Sequence, residues 1–188
     1  MSSTKVKDRQ GTHLDFYETP SRVVYGLLEY LNLDNVTKAL EPSAGRGAII
    51  RAVQDHYASL SFNAIEIQEQ FKSHLDPIAK TTIGNFLLQE PEPFDLILAN
   101  PPFSQAEEFI KHAYKFLSPN GQMAFLLRLP FLGSVKRSAL FKQLKPTQVL
   151  VLSQRPKFGG TNIDSCDYAW FVWSNPCSTV TTLDWILK

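Results

Sequence analysis

The sequence predicts one α/β domain, a mostly parallel sheet with helices on both faces. Short β-branched or apolar runs alternate along the chain with segments of helical spacing, the pattern of strands joined by helical crossovers. Two of these runs, 94–99 and 123–127, are nearly continuously apolar, as strands covered on both faces must be. A glycine-containing loop, Glu41 to Gly47, and an Asn-Pro-Pro loop follow two of the strand candidates, and the paired prolines Pro101-Pro102 stop their strand at a fixed point.

The elements follow in order. Residues 19–31 read as a helix, with Thr19 as N-cap, Pro20 at the first helical position and Val23, Val24, Leu27, Leu28 and Leu31 on one face. A strand at 37–41 leads to a helix from Gly47 to about Tyr57. A strand at 62–67 leads to a helix at 69–75, and a weaker strand lies at 81–83. After the strand at 94–99, Ser104 and Glu107 make a capping box for a helix striped by Ala106, Phe109, Ile110, Ala113 and Leu117. Ser118-Pro119-Asn120-Gly121 stops that helix before the strand at 123–127. Runs at 149–152 and 168–173 are the last two strands, antiparallel neighbours across the loop 153–166 because no helix fits between them. The result is a seven-stranded Rossmann-like sheet whose antiparallel last strand lies at an edge.

With 188 residues, 44% hydrophobic and 20% charged, the composition is that of a globular domain with a sizeable core. No apolar run is long enough to span a bilayer. The polar start of the chain has no h-region, and residues 1–14 are expected to be mobile. Cys166 and Cys177, without CxxC spacing, suit unpaired thiols in a reducing, cytoplasmic setting. The four histidines, His13, His56, His74 and His112, lack ligand spacing, so no metal is expected. Net charge is +1, which provides no global attraction for nucleic acid. Any phosphate contact must come from local clusters: Arg128, Lys136, Arg137, Lys142 and Lys145, then Arg155 and Lys157.

The candidate chemistry lies where strands end. Asn100-Pro101-Pro102-Phe103 follows an apolar strand and presents a neutral amide oxygen beside an aromatic ring, at the sheet edge where open α/β folds bind ligands. Glu41-Pro42-Ser43-Ala44-Gly45-Arg46-Gly47 follows the first strand, and its glycines let the backbone approach a ligand. A full GxGxxG is absent, and Glu41 disfavours an anion there and suits a cationic group such as an ammonium. Glu66 ends the second strand, where a carboxylate can accept hydrogen bonds from ribose hydroxyls. Together these residues ask for a ribose-bearing ligand with a positive end.

The order Asp15-Phe16-Tyr17-Glu18-Thr19-Pro20, then Glu41 to Gly47, then Asn100 to Phe103 resembles the DNA N6-adenine methyltransferases. The segment from Arg155 to Gly160, with Asp164 and Tyr168-Ala169-Trp170-Phe171, is similar to compact phage or prophage members. The resemblance implies a Rossmann-like S-adenosylmethionine-dependent methyltransferase that methylates adenine N6 in DNA. It implies that Tyr17, Thr19 and Pro20 lie over the cofactor's methionine moiety. Pro42, Ser43, Ala44, Gly45 and Gly47 would wrap that end with Glu41 near the ammonium, Glu66 would hold the ribose, and Ile67 would pack on the cofactor adenine. The family's Asp before Phe is replaced here by Asn85 before Phe86, whose amide oxygen can still accept from the adenine amino group.

By the same resemblance, Asn100 and the Pro101 carbonyl would accept from the target amino group, and Phe103 would stack on a base flipped from its partner. Pro102 completes that loop. Phe158 is a candidate second wall for the base, and Arg128, Lys136, Arg137, Arg155 and Lys157 are candidate phosphate grips. No separate target-recognition domain is expected, so sequence choice falls to loops 128–138 and 153–166 or to a partner. RNA adenine and a glutamine side chain are alternative acceptors, and a non-catalytic binding subunit is a third reading. Phe103 in place of Tyr and the single Gly-x-Gly disfavour the glutamine reading.

Overall fold

The computed structural model describes residues 6–7, 13–14, 17–158 and 165–186, the two short N-terminal pairs as backbone alone. Asp15, Phe16, Gly159, Gly160 and Asp164, and most of residues 1–14, lie outside the described residues. Eight strands form the main sheet: β1 Lys38–Glu41, β2 Ser61–Glu66, β3 Lys80–Ile83, β4 Phe94–Ala99, β5 Leu117–Arg128, β6 Gln148–Leu152, β7 Tyr168–Ser174 and β8 Thr182–Ile186. Their spatial order is β8-β6-β7-β5-β4-β1-β2-β3. All neighbours are parallel except β7, which runs antiparallel to both β5 and β6. A separate two-residue antiparallel ladder joins Val6–Lys7 to His13–Leu14.

This corrects the expected sheet in two respects. It has an eighth strand, and the antiparallel strand is neither the last nor at an edge. Tyr168 to Trp173 are all fully buried, and burial of every side chain on both faces requires an interior position. Two indoles tie that strand to its coverings: Trp170 Nε1–H donates to the Val23 carbonyl and Trp173 Nε1–H to the Leu144 carbonyl, both at 3.0 Å.

The helices are α1 Ser21–Leu28, α2 Ala48–Gln54, α3 Lys72–Leu75, α4 Ala106–Ala113 and α5 Ser138–Gln143. Alternation along the strands divides the core by face. Leu96 and Leu98 of β4 pack with α1 and α2 residues such as Val24, Leu27, Ile50 and Val53. Ile97 and Ala99 pack on the other face with Phe109 and Ile110 of α4 and Leu140 of α5. No described helix is long and apolar enough to cross a membrane.

Three local expectations also change. Pro20, not Thr19, is the N-cap of α1, and no side chain caps it. The Ser104–Glu107 capping box does not form, because Phe103–Gln105 tightens into a 3₁₀ turn and Gln105 becomes the N-cap. Glu107 pairs instead with Lys111 one turn on, at 2.7 Å. Ser118 to Gly121 does not break the chain between helix and strand but lies inside β5, where Asn120 adopts φ 65° and the register with β4 shifts.

Candidate functional site

The order of strands reverses between β1 and β4, and in open α/β sheets the crevice at such a reversal is where ligands bind. Here it holds about 800 Å³ of empty space, open mouth included. Tyr17 and Thr19, the loop from Glu41 to Gly45, Glu66 and Ile67, Asn85 and Phe86, and Asn100 with Pro102 all line it. Pro20, Gly47, Pro101 and Phe103 do not.

The loop after β1 is shaped by backbone need. Gly45 and Gly47 have φ of 52° and 79°, where a side chain is strained, and a Cβ on Gly47 would meet Ile78 Cδ1 at 2.6 Å. Gly47 therefore serves the fold of the loop from outside the cavity. The loop is pinned to the next strand from two sides. Ala44 N–H donates to the Ile65 carbonyl at 3.1 Å, and Gly45 N–H donates to Glu66 Oε2 at 2.7 Å. Glu66 Oε1 accepts from Gln68 N–H at 2.8 Å. Burial pushes the Glu66 carboxyl up, against the N–H groups of Gln68, Gly45 and Ile67. A carboxylate has about four lone-pair sites, so Glu66 keeps capacity for a ligand hydroxyl while it braces the loop.

Glu41 is in a different state. It is 2% exposed, and Oε2 has no hydrogen-bond partner among the described residues. Burial is the main cause that pushes its carboxyl well above the usual range; the Glu66 charge adds to it, while the Ile50 N–H and Arg51 oppose it. A buried, unpartnered carboxylate oxygen at a ligand crevice calls for a cationic donor.

Asn100 follows β4 directly. Its Nδ2 donates to the Tyr17 carbonyl at 3.0 Å and to Thr19 Oγ1 at 3.1 Å. Flipping the amide would set Oδ1 against a carbonyl oxygen, so these contacts fix which end is which. Oδ1 is buried and has no partner among the described residues. Asn85 Oδ1 accepts from Leu87 N–H at 3.0 Å and caps a short 3₁₀ turn, which engages one of the lone pairs expected to face the cofactor.

Beyond the crevice, Phe103 and Phe158 do not face one another directly. Each packs on both Tyr17 and Tyr168, with ring centroids 5.0–5.8 Å apart. The Arg128 guanidinium lies 4.6 Å from the Phe103 ring centroid, and its Nε donates to Tyr168 Oη at 3.1 Å. Arg137 lies over Phe131 at 4.4 Å. Arg155 pairs with Asp167 at 2.7 Å, whereas Lys136 and Lys157 are exposed. Sequence reasoning missed Gln105 and Phe109 as lining residues. Phe109 belongs to the apolar stripe of α4, so helical spacing marks it only as core.

The family model of the methyltransferase small domain matches residues 26–155. The chain belongs to this family. Its cofactor is S-adenosylmethionine, and the residues present fit it: Glu41, whose Oε2 has no partner among the described residues, would face the ammonium, the braced Glu66 would face the ribose, and Ile67, Phe86 and Phe109 would line the adenine side. Over 104 residues the methyltransferase domain is 34% identical to type II methyltransferase M.TthHB8I of Thermus thermophilus. That match covers 54% of this chain and 24% of the relative, so the chain spans about a quarter of that protein. Two solved structures share the fold. One, from Listeria monocytogenes, is assigned as a class I S-adenosylmethionine-dependent methyltransferase; its TM-score is 0.69 at 12% identity, over 90% of this chain and 67% of that one. The other is a modification subunit of a type I restriction enzyme from Vibrio vulnificus, with TM-score 0.68 at 17% identity over 89% of this chain and 45% of that one.

Proposed function

We propose that the protein transfers a methyl group from S-adenosylmethionine to the N6 amino group of adenine in DNA. The observation that carries this reading is the Asn100 amide, held by its nitrogen so that a buried oxygen at the cofactor crevice has no donor among the described residues. An exocyclic adenine amino group is a poor nucleophile because its lone pair is delocalised into the ring. Acceptors at its two hydrogens favour a pyramidal nitrogen, and the Asn100 Oδ1 and Pro101 carbonyl are the acceptors this chain offers. The bound cofactor supplies an electrophilic methyl on a sulfonium, which leaves as a neutral thioether. With the cofactor bound, the amino nitrogen would take the methyl as the sulfonium is released as a thioether, and the methylated nitrogen would lose its extra proton to water. Asn100 stays neutral throughout, so its work is positioning and stabilisation of developing charge.

A target base has to leave its helix to reach this edge, and the rings of Phe103 and Phe158 beside the crevice suit a stacked base. Identity to a segment of a type II methyltransferase supports a nucleic-acid acceptor. The test is a transfer assay with labelled S-adenosylmethionine and single-stranded DNA, duplex DNA or RNA, followed by nucleoside analysis. N6-methyladenine from DNA, absent with Asn100→Ala although that variant binds cofactor within a few-fold of wild type, is the expected result. Label in RNA alone moves the acceptor to RNA. Cofactor binding without transfer to any nucleic acid overturns the reading.

A further inference from the structure

Both groups that hold the Asn100 amide come from one short segment, residues 17–19. We propose that Thr19 is a positioning residue for Asn100, with its oxygen accepting from the amide at the edge of the crevice. The inference rests on the reading above, that the Asn100 oxygen accepts from the substrate amino group.

A primary amide has two nitrogen-bound hydrogens, and its plane is free to turn until both are engaged. The Tyr17 carbonyl takes one at 3.0 Å and can only accept, so it sets the direction of the amide. The Thr19 hydroxyl takes the other at 3.1 Å, and with both hydrogens spent the plane is fixed. Its own place is well determined. Thr19 is 4% exposed, its β-branch restricts χ1, and Pro20 follows at φ −62° as the N-cap of α1. Helix α1 is in turn tied to the interior strand β7 through the Trp170 indole and the Val23 carbonyl. The fold thus carries rigidity from the middle of the sheet to a hydroxyl that holds an amide 81 residues away in sequence.

A hydroxyl that holds the Asn100 amide makes a prediction that one serving the cofactor alone does not. Thr19→Val keeps the shape and removes the acceptor, which leaves one buried N–H unmatched and the amide free to swing. Transfer kcat should fall about ten-fold to a hundred-fold while cofactor affinity and the KM for DNA stay within about two-fold. Thr19→Ser should restore most of the rate. An independent readout is exchange of the Asn100 side-chain amide protons with solvent, followed by NMR. Both should be protected in wild type and at least one should exchange about ten-fold faster in Thr19→Val.

Unchanged exchange or unchanged kcat overturns the proposal. So does a loss of cofactor affinity that matches the loss of rate, since the rate would then be lost through cofactor binding and not through Asn100. Should the wild type fail to methylate adenine, the reading of the acceptor falls, and the exchange measurement still judges the role of Thr19.

Discussion

At the scale of single residues, Glu41 holds the largest unmet demand. Its carboxyl, raised mainly by burial, binds a proton in the folded, ligand-free protein at pH values where it would be ionised in the unfolded chain. Its contribution to stability is therefore fully present below the ordinary carboxylate range and is lost as pH rises through the raised value. The cofactor's ammonium needs the ionised form, so binding should release a proton and tighten as pH rises through that same interval. Calorimetry in buffers of different ionisation enthalpy should detect the proton, and Glu41→Gln should abolish the release together with the pH dependence. Residue roles were partly legible in the chain. Glu41, Glu66 and Asn100 can be found because each lies at the carboxyl end of a strand, two of them just before a proline. The role of Thr19 could not be found: a threonine before proline is an ordinary N-cap by local rules, and only the fold brings Asn100 to compete for its hydroxyl.

Among the elements, β8 shows what local pattern does not reveal. Its residues alternate, but Leu183 and Trp185 are exposed and only Ile186 is deeply buried, so the hydrophobic pattern of a packed strand is weak. Contact with α1 decides its place. A Cβ added at Gly26 would meet Ile186 Cγ2 at 2.4 Å, so glycine is what lets the edge strand close on the helix. Gly26→Ala should destabilise the protein by about 1–3 kcal/mol despite the better helix propensity of alanine. In an Ile186→Ala background, which removes the obstructing methyl, the same change should become neutral or stabilising; a thermal-unfolding double-mutant cycle measures both. The interior position of β7 was also beyond local reading. Its apolar run shows that both faces are covered, but insertion between β5 and β6 is a property of topology.

For the molecule as a whole, a net charge of +1 gives no long-range pull on nucleic acid. Affinity for a backbone must then come from few side chains, and the ion pair of Arg155 with Asp167 narrows the set. Lys157→Ala should lower the slope of log binding constant against log salt by about one, and Arg155→Ala should lower it by less, because its charge is already partly matched. Equal slopes in wild type and Lys157→Ala would remove loop 153–166 from the phosphate interface. The alternation of strands and helices was readable across the chain because each unit is local; the order of the last three strands was not, because it depends on what pairs with β5. That order has a consequence for synthesis on the ribosome. While residues up to about 167 are being made, β5 has a bare outer edge and β6 has no neighbour, since β7 pairs with both. The sheet beyond β5 can be assembled only after Tyr168–Ser174 has been translated and has left the exit tunnel. Until then the nascent chain carries an unpaired apolar edge, the form of β-structure most prone to associate with other chains.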